Sequence, residues 1–177
     1  IPHQDVTVTV SGIYDQTSEP LANIPVHLFT ETDAYMNLNP VTDAGGQVLF
    51  SLPAKVYKVR ADYLNQQFWS SEFNQQDTQV DIAMADALIT VTGGGQALAG
   101  VPVYVYTASS AYLNLNQNTD SAGQAGFRLP AGSYKFRADY QGSEYWFDAT
   151  ILQADQVNNV EISTGGGPFI FTVLKGA

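Results

Sequence analysis

Oxygen-donating side chains recur at one spacing in two parts of the chain, and they are the first candidates for chemistry. They are Asn37, Asn39 and Asp43, and, 77 positions later, Asn114, Asn116 and Asp120. Amide and carboxylate oxygens carried by loops are ligands that Ca²⁺ prefers, so each set is a candidate calcium site. The alternative, which we prefer, is that each aspartate caps a Thr-Asp-x-x-Gly turn through its own backbone.

Residues suited to acid–base or nucleophilic catalysis are scarce. His3 and His27 are the only histidines, and His27 aligns with Tyr104 in the second part of the chain. There is no cysteine, which excludes disulfides, thiol chemistry and cysteine-based metal sites. Because catalysis needs a base, a nucleophile or a metal at convergent geometry, we predict that the chain is not an enzyme.

The charge balance is acidic, with 17 Asp and Glu against 7 Lys and Arg and a formal net charge of −10. Such a surface repels nucleic acid and anionic membranes, so neither is an expected partner. No apolar run approaches the roughly 18 residues that a membrane span requires. Divalent cations are the more natural partners of this composition.

Tryptophan and its neighbours raise the question of a sugar-binding platform. Trp69 and Trp146 are equivalent, and each follows a repeated Asp-Tyr pair, at 62–63 and 139–140. Aromatic rings on a surface can stack on sugar rings, whereas a core tryptophan is common in small sandwich domains. We favour core packing for both tryptophans.

Three other aromatic side chains are predicted to point outward from strands. They are Phe29, Tyr104 and Tyr106, which alternate with residues of the core face. A large exposed apolar patch usually marks an interface, so these three are candidates for contact with a neighbouring molecule.

These candidates lie within an internal repeat. Residues 21–69 align without a gap on residues 98–146, and about half of the positions are identical. In the strongest block, Val48, Phe50 and Leu52 alternate with polar residues, which predicts a strand with one buried face. The equivalent block of the second copy keeps this alternation.

The whole pattern predicts an all-β fold of two tandem immunoglobulin-like Greek-key β-sandwich domains. The expected domains are residues 1–85 and 86–164, each with about seven short strands separated by turn signals. The first strand of the first domain contains Val6, Val8 and Val10 on one face. No segment has a helical period of useful length.

A third opening strand follows the second copy, after the glycines at 165–167. Residues 165–177 are therefore predicted to be a glycine-rich linker and an extra strand without a domain of its own. The residues of this strand are Phe169, Ile170, Phe171, Thr172, Val173 and Leu174. An apolar strand on such a linker must pair somewhere, because water would otherwise meet its apolar face and its backbone groups.

Three destinations for the extra strand remain open. It can pair with the edge of its own second domain, belong to a third repeat, or be donated to a neighbouring molecule as in β-augmentation. Donation from one end of the chain to the other end of the next is head-to-tail and produces filaments. We prefer donation, with the strand of Val6, Val8 and Val10 lining the receiving domain.

The repeated blocks TDAGGQVLFSLPAKVYKVRADY, at 42–63, and TDSAGQAGFRLPAGSYKFRADY, at 119–140, resemble the bacterial collagen-adhesin B-type and carboxypeptidase-regulatory-like families. Lys55 stands where the pattern has its last glycine. The resemblance implies a transthyretin-like or immunoglobulin-like sandwich in a bacterial extracellular setting. Pilin and adhesin relatives often carry a Lys–Asn isopeptide bond, but residues 6–12 and 88–93 contain no lysine to form one.

Taken together, the sequence predicts a non-enzymatic structural protein, extracellular or on a bacterial cell surface. Its expected partner is itself, in a head-to-tail filament, with Ca²⁺ as a candidate ligand. The alternative is a carbohydrate-binding, spacer or adhesion module of a larger secreted protein, for which polysaccharide would be the partner.

Overall fold

The computed structural model describes residues 2–165, which form strands joined by turns and short loops. The predicted all-β class is confirmed. The chain divides into two compact units between Ala85 and Asp86, here called unit 1 and unit 2. The extra strand predicted at 169–174 lies outside the described residues.

Unit 1 is built from six strands and the first part of a seventh. They are β1 (His3–Tyr14), β2 (Thr17–Pro20), β3 (Val26–Thr30), β4 (Gln47–Pro53), β5 (Tyr57–Tyr63), β6 (Gln66–Trp69) and β7 (Thr78–Gly93). In its first sheet, β1 pairs antiparallel with β2 and β4, and parallel with β7 from Val8↔Thr78 to Ile13↔Ala83. The second sheet has the order β3-β5-β6.

Unit 2 begins in the second part of β7. Its other strands are β8 (Gln96–Ala97), β9 (Pro102–Thr107), β10 (Tyr112–Asn118), β11 (Gln124–Pro130), β12 (Gly132–Tyr140), β13 (Ser143–Leu152) and β14 (Val157–Ser163). In its first sheet β7 pairs with β8 and β11, and parallel with β14 from Val157↔Asp86 to Ser163↔Thr92. The second sheet has the order β10-β9-β12-β13.

The closing strand has the same position in both units. The last strand runs parallel to the first and hydrogen-bonds along it, which requires the chain to cross between the two sheets. In unit 1 the closing strand is the first part of β7, and the second part of β7 opens unit 2 with no loop between them. Closing and opening segments that the sequence treats as separate strands are therefore one strand.

The core of unit 1 follows the predicted alternation. Val6, Val8 and Val10 are completely buried, and Phe50 and Leu52 of β4 lie in the same cluster. The corresponding core of unit 2 contains Ile89, Val91, Val103, Val105, Leu129, Tyr134, Phe136, Val160 and Ile162. Period-two alternation fits a sheet with one buried face, and burial of these side chains stabilises each sandwich.

A glycine closes the repeated Thr-Asp-x-x-Gly turn in each unit. Gly46 has φ +73° and Gly123 has φ +74°, a backbone conformation that side chains disfavour. A Cβ on Gly46 would lie 2.6 Å from the carbonyl oxygen of Val10, and one on Gly123 would lie 2.9 Å from that of Val91. The turn thus packs its backbone directly against the opening strand.

Candidate functional site

The aspartates of the proposed calcium sites bind the backbone of their own turns. Oδ1 of Asp43 accepts hydrogen bonds from the amides of Gly45 (2.8 Å) and Gln47 (2.9 Å). Oδ1 of Asp120 does the same for Ala122 (2.8 Å) and Gln124 (3.0 Å). The turn-capping interpretation of these two residues is therefore confirmed.

The asparagines of the same sets lie outside those turns. Asn37 and Asn114 both have positive φ, +56° and +57°, and Asn116 donates a hydrogen bond to the hydroxyl of Tyr112 (3.1 Å). Asn39 is exposed in the loop between β3 and β4. Within residues 2–165, no three His, Asp or Glu side chains form a group suited to a metal. Calcium binding at these residues stays a prediction.

The first strand of unit 1 has neighbours on both of its edges. β1 pairs with β4 over residues 3–9 and with β7 over residues 8–13. Val6, Val8 and Val10 therefore lie in the core of unit 1 among its own strands, and their part in receiving a donated strand stays a prediction. The residues of the predicted donor strand, from Phe169 to Leu174, are outside the described part of the chain.

The most elaborate side-chain cluster of unit 2 crosses the outer face of its second sheet. Arg137 of β12 is paired in register with Tyr104 of β9 and with Trp146 of β13. Its guanidinium carbon lies 4.6 Å from the ring centre of Tyr104 and 5.5 Å from those of Tyr106 and Trp146. Tyr112 of β10 continues the row, 5.2 Å from Tyr106 between ring centres. We call this set the unit 2 stripe.

Carboxylates neutralise the arginine at the centre of the unit 2 stripe. Arg137 forms ion pairs with Asp139 (2.8 Å) and Glu144 (2.9 Å). Burial alone would lower the pKa of Arg137, but Asp139 first, then Tyr106 and Glu144, outweigh it and raise that pKa above its ordinary value. The guanidinium is charged at every relevant pH, and its attraction to the rings is a cation–π interaction.

Unit 1 has an equivalent stripe, made of Phe29, Tyr35, Arg60 and Trp69. The guanidinium carbon of Arg60 lies 5.5 Å from the ring centre of Phe29 and 5.8 Å from that of Trp69. Tyr35 extends the row, 5.3 Å from Phe29. Asp62 accepts hydrogen bonds from two nitrogens of Arg60, at 2.7 and 2.8 Å.

His27 contacts the unit 1 stripe at two points, the carboxylate of Asp62 and the ring of Tyr35, whose centre lies 5.6 Å from its own. Its Nε2 lies 3.1 Å from Asp62, where unit 2 has Tyr104 stacked on the arginine. The side chain of His27 is 17% exposed. The geometry is that of a strand residue paired with an acid, and no nucleophile contacts it among the interactions of the described residues.

The tryptophans are not in the core, which corrects the sequence-based interpretation. Trp69 is 45% exposed and Trp146 is 44% exposed. Phe29 and Tyr106, predicted to be exposed, are only 9% exposed because the tryptophans and arginines cover them. Tyr104 is half-buried beneath Arg137. The solvent-facing part of each stripe is therefore its tryptophan and outermost tyrosine.

The arginine at the centre of each stripe was missed by the sequence reasoning. The signal was available, since alternation places Arg60 and Arg137 on the face opposite the core, within the repeated Lys-x-Arg-Ala-Asp-Tyr segment. An outward arginine between aromatic positions of two neighbouring strands indicates a cation–π row.

Comparison with known proteins finds similar folds among solved structures. No protein-family profile matches the chain, and no curated protein matches it. A minor pilin of Streptococcus agalactiae is similar in structure, with a TM-score of 0.52, 14% identity, and 97% of this chain and 100% of that chain covered. A Bacteroides ovatus protein to which a cell-adhesion role is attributed has a TM-score of 0.50 and 8% identity, with 95% and 94% covered. At these identities the likeness shows the fold alone.

The described residues contain no helix with the length and apolarity needed to cross a bilayer.

Proposed function

We propose that the chain is a non-enzymatic structural part of a bacterial filament or adhesion protein, displayed on the cell surface or secreted. The proposal rests on the continuity of β7, which belongs to both units. β7 closes unit 1 against β1 and then opens unit 2 against β14, with no loop between the two roles. Repetition of this step adds complete sandwich units in series, which is what a stalk or filament requires.

The side chains outside the cores, the likeness in fold and the net charge agree with this role. His27 is paired with Asp62, and the acidic turn residues are engaged by their own backbone. The likeness in fold to a minor pilin and to a protein with an attributed adhesion role supports a place outside the cell. A net charge of −10 favours solubility and keeps such a surface from binding nucleic acid.

The proposal extends to assembly between copies. The strand at 169–174 pairs with unit 1 of a neighbouring copy and so joins the chains head-to-tail. β1 pairs with β4 along residues 3–9 and with β7 along residues 8–13, and we place the incoming strand beside residues 78–84 of β7, on the edge opposite β1. β-augmentation there uses backbone hydrogen bonds that an edge strand leaves free.

Electron microscopy of the purified chain tests this function. We expect filaments from the full chain and none from a chain that ends at Thr164. A full-length Phe171→Asp variant is the matched control, because it keeps the length of the chain and places a charge in the pairing strand. Monodisperse monomers from the unaltered full chain, or filaments that persist in both variants, would contradict head-to-tail donation.

A second function, binding of polysaccharide by an adhesion module, is favoured by one observation. It is the exposure of the two tryptophans at the outer face of the second sheets.

A further inference from the structure

We propose that the exposed tryptophan of each stripe is the stacking platform of a binding site for neutral polysaccharide. The inference rests on the second proposed function, polysaccharide binding by an adhesion module, and names the site and the charge class of its ligand. Trp146 with Tyr112 forms the platform in unit 2, and Trp69 with Tyr35 forms the one in unit 1.

The indoles are held in place although they are exposed. Trp146 lies 4.8 Å from Tyr106 between ring centres, and its Nε1 donates a hydrogen bond to Glu144 (3.2 Å). Arg137 is placed against the same ring, 5.5 Å away. A platform whose orientation is fixed by three neighbours loses little conformational entropy when a flat ligand stacks on it.

The contacts of the arginine exclude a cationic ligand from the rings. An aromatic cage for an ammonium group needs ring faces that point into open space. In unit 2 the faces of Tyr104, Tyr106 and Trp146 already surround the guanidinium of Arg137. Arg137 therefore takes the place that a cationic ligand would need, and only the solvent-facing surface of the stripe is open to a ligand.

Charge excludes anionic ligands as well. Asp139 and Glu144 balance and exceed the charge of Arg137, and the whole chain carries −10. Uronic-acid polymers, phosphorylated glycans and nucleic acids are therefore repelled. Ring faces occupied by Arg137 and a negative local charge together favour a neutral ligand with an apolar face.

Polar groups beside the platform match the rim of a sugar ring. Glu144 presents carboxylate oxygens next to Trp146, and the hydroxyl of Tyr112 and the amide of Asn116 lie hydrogen-bonded together at the far end of the row. A pyranose combines an apolar C–H face with hydroxyls at its edge. An aromatic surface with a few polar groups at its margin is the usual form of a site for such a ligand.

The repetition of the platform in both units argues for a ligand with repeated subunits. Trp, Arg, Asp and the outer Tyr occur at equivalent positions, 77 residues apart. Each platform accepts one segment of a polymer, so several units in series gain avidity.

The chain contains only these two tryptophans, which makes fluorescence a site-specific assay. Each single variant, Trp69→Ala or Trp146→Ala, leaves the other platform as the sole reporter. We expect titration with short gluco-, manno- and galacto-oligosaccharides to shift the emission of the remaining tryptophan with at least one of them. Affinity electrophoresis through gels that contain the corresponding neutral polysaccharides should show retardation, weakened about thirtyfold by loss of an anchoring tryptophan.

Controls separate the proposal from its alternatives. Ile151→Ala removes an exposed apolar side chain of β13 outside the stripe and should leave retardation unchanged, while thermal unfolding checks the fold of every variant. No retardation by any polysaccharide of the panel, or retardation that persists in the double tryptophan variant, overturns the proposal. It is also overturned if only a polyanion such as alginate binds, or if the tryptophan variants change sedimentation of the protein without affecting any glycan, which would make the stripe a contact between copies.

Discussion

Replacement of Thr119 by valine is expected to destabilise unit 2 more than any surface change. Oγ1 of Thr119 donates to the carbonyl oxygen of Leu98 (2.6 Å) and accepts from the amide of Val101 (3.0 Å). The residue is only 4% exposed. Valine has nearly the same shape, so Thr119→Val removes both hydrogen bonds and leaves the buried amide of Val101 and the part-buried carbonyl of Leu98 without this partner.

The size of the effect follows from those two groups. A buried donor or acceptor that loses its partner costs about 1–3 kcal/mol, so the free energy of unfolding should fall by roughly 2–4 kcal/mol. For a unit of this size each kcal/mol lowers the melting temperature by about 4–8 °C, which gives a decrease of roughly 8–32 °C. Thr119→Ser keeps the hydroxyl and should cost about 1 kcal/mol through the lost methyl group.

The assay is urea unfolding followed by tryptophan fluorescence in a Trp69→Phe background. Trp146 then reports on unit 2 alone, because the chain has no other tryptophan. Thr42 makes the same two contacts in unit 1, at 2.6 and 2.9 Å, so Thr42→Val in a Trp146→Phe background should give a similar loss. If Thr119→Val is no less stable than Thr119→Ser, the hydroxyl does not serve as the bridge and the reasoning is refuted.

Three further predictions concern turns, metal and pH. Gly123→Ala should destabilise unit 2 by at least about 1 kcal/mol more than Gly100→Ala. Both glycines have φ near +73°, but only a Cβ on Gly123 would meet the carbonyl oxygen of Val91. Denaturant titration of both variants measures the difference. Asp120→Ala should lower the free energy of unfolding by about 1 kcal/mol, and by the same amount in the presence of EDTA. If Ca²⁺ raises the melting temperature of the unaltered chain but not that of Asp120→Ala, the aspartate binds the ion instead. Burial raises the pKa of Tyr57 above its ordinary 10.0. The stability that the neutral phenol contributes is therefore complete below pH 10 and is lost as the pH rises further. In unfolding measurements between pH 8 and 12, Tyr57→Phe should lose less stability with rising pH than the unaltered chain.

Alternation in the sequence predicted the cores because those strands are regular. Val6, Val8 and Val10, and likewise Phe50 and Leu52, fall on one face of unbroken ladders and are buried as expected. The turn-capping role of the aspartates was also readable, since Asx turns are local and depend on neighbouring residues alone.

The outward position of Trp146 depends on its pairing with Arg137 of β12, as that of Trp69 depends on Arg60 of β5, and β13 also contains an irregularity. Its register with β12 shifts between Tyr134 and Phe136, so the inward positions change parity along the strand. Trp146 and Ile151 both point to solvent, five residues apart, although unbroken alternation would place them on opposite faces. A β-bulge of this kind depends on pairing with the neighbouring strand, which sequence period alone does not reveal.

The continuity of β7 was missed for a related reason. Residues 84–87, between the closing and opening segments, contain an aspartate and small residues, which suggested a boundary with a loop. Strand pairing on both sides keeps the backbone extended through this stretch, since β7 pairs with β1 before it and with β14 from Asp86 onward. Tertiary pairing thus overrides a weak local preference.

The most direct test of the account is whether the strand at 169–174 binds unit 1 of another copy. A synthetic peptide of residues 168–176 is titrated by calorimetry into a chain that ends at Thr164, with a scrambled peptide as the control. We expect saturable binding of one peptide per chain, weakened when a proline replaces Gln79 of β7, which is the proposed receiving strand. No saturable binding, or equal binding of the scrambled peptide, would contradict head-to-tail assembly.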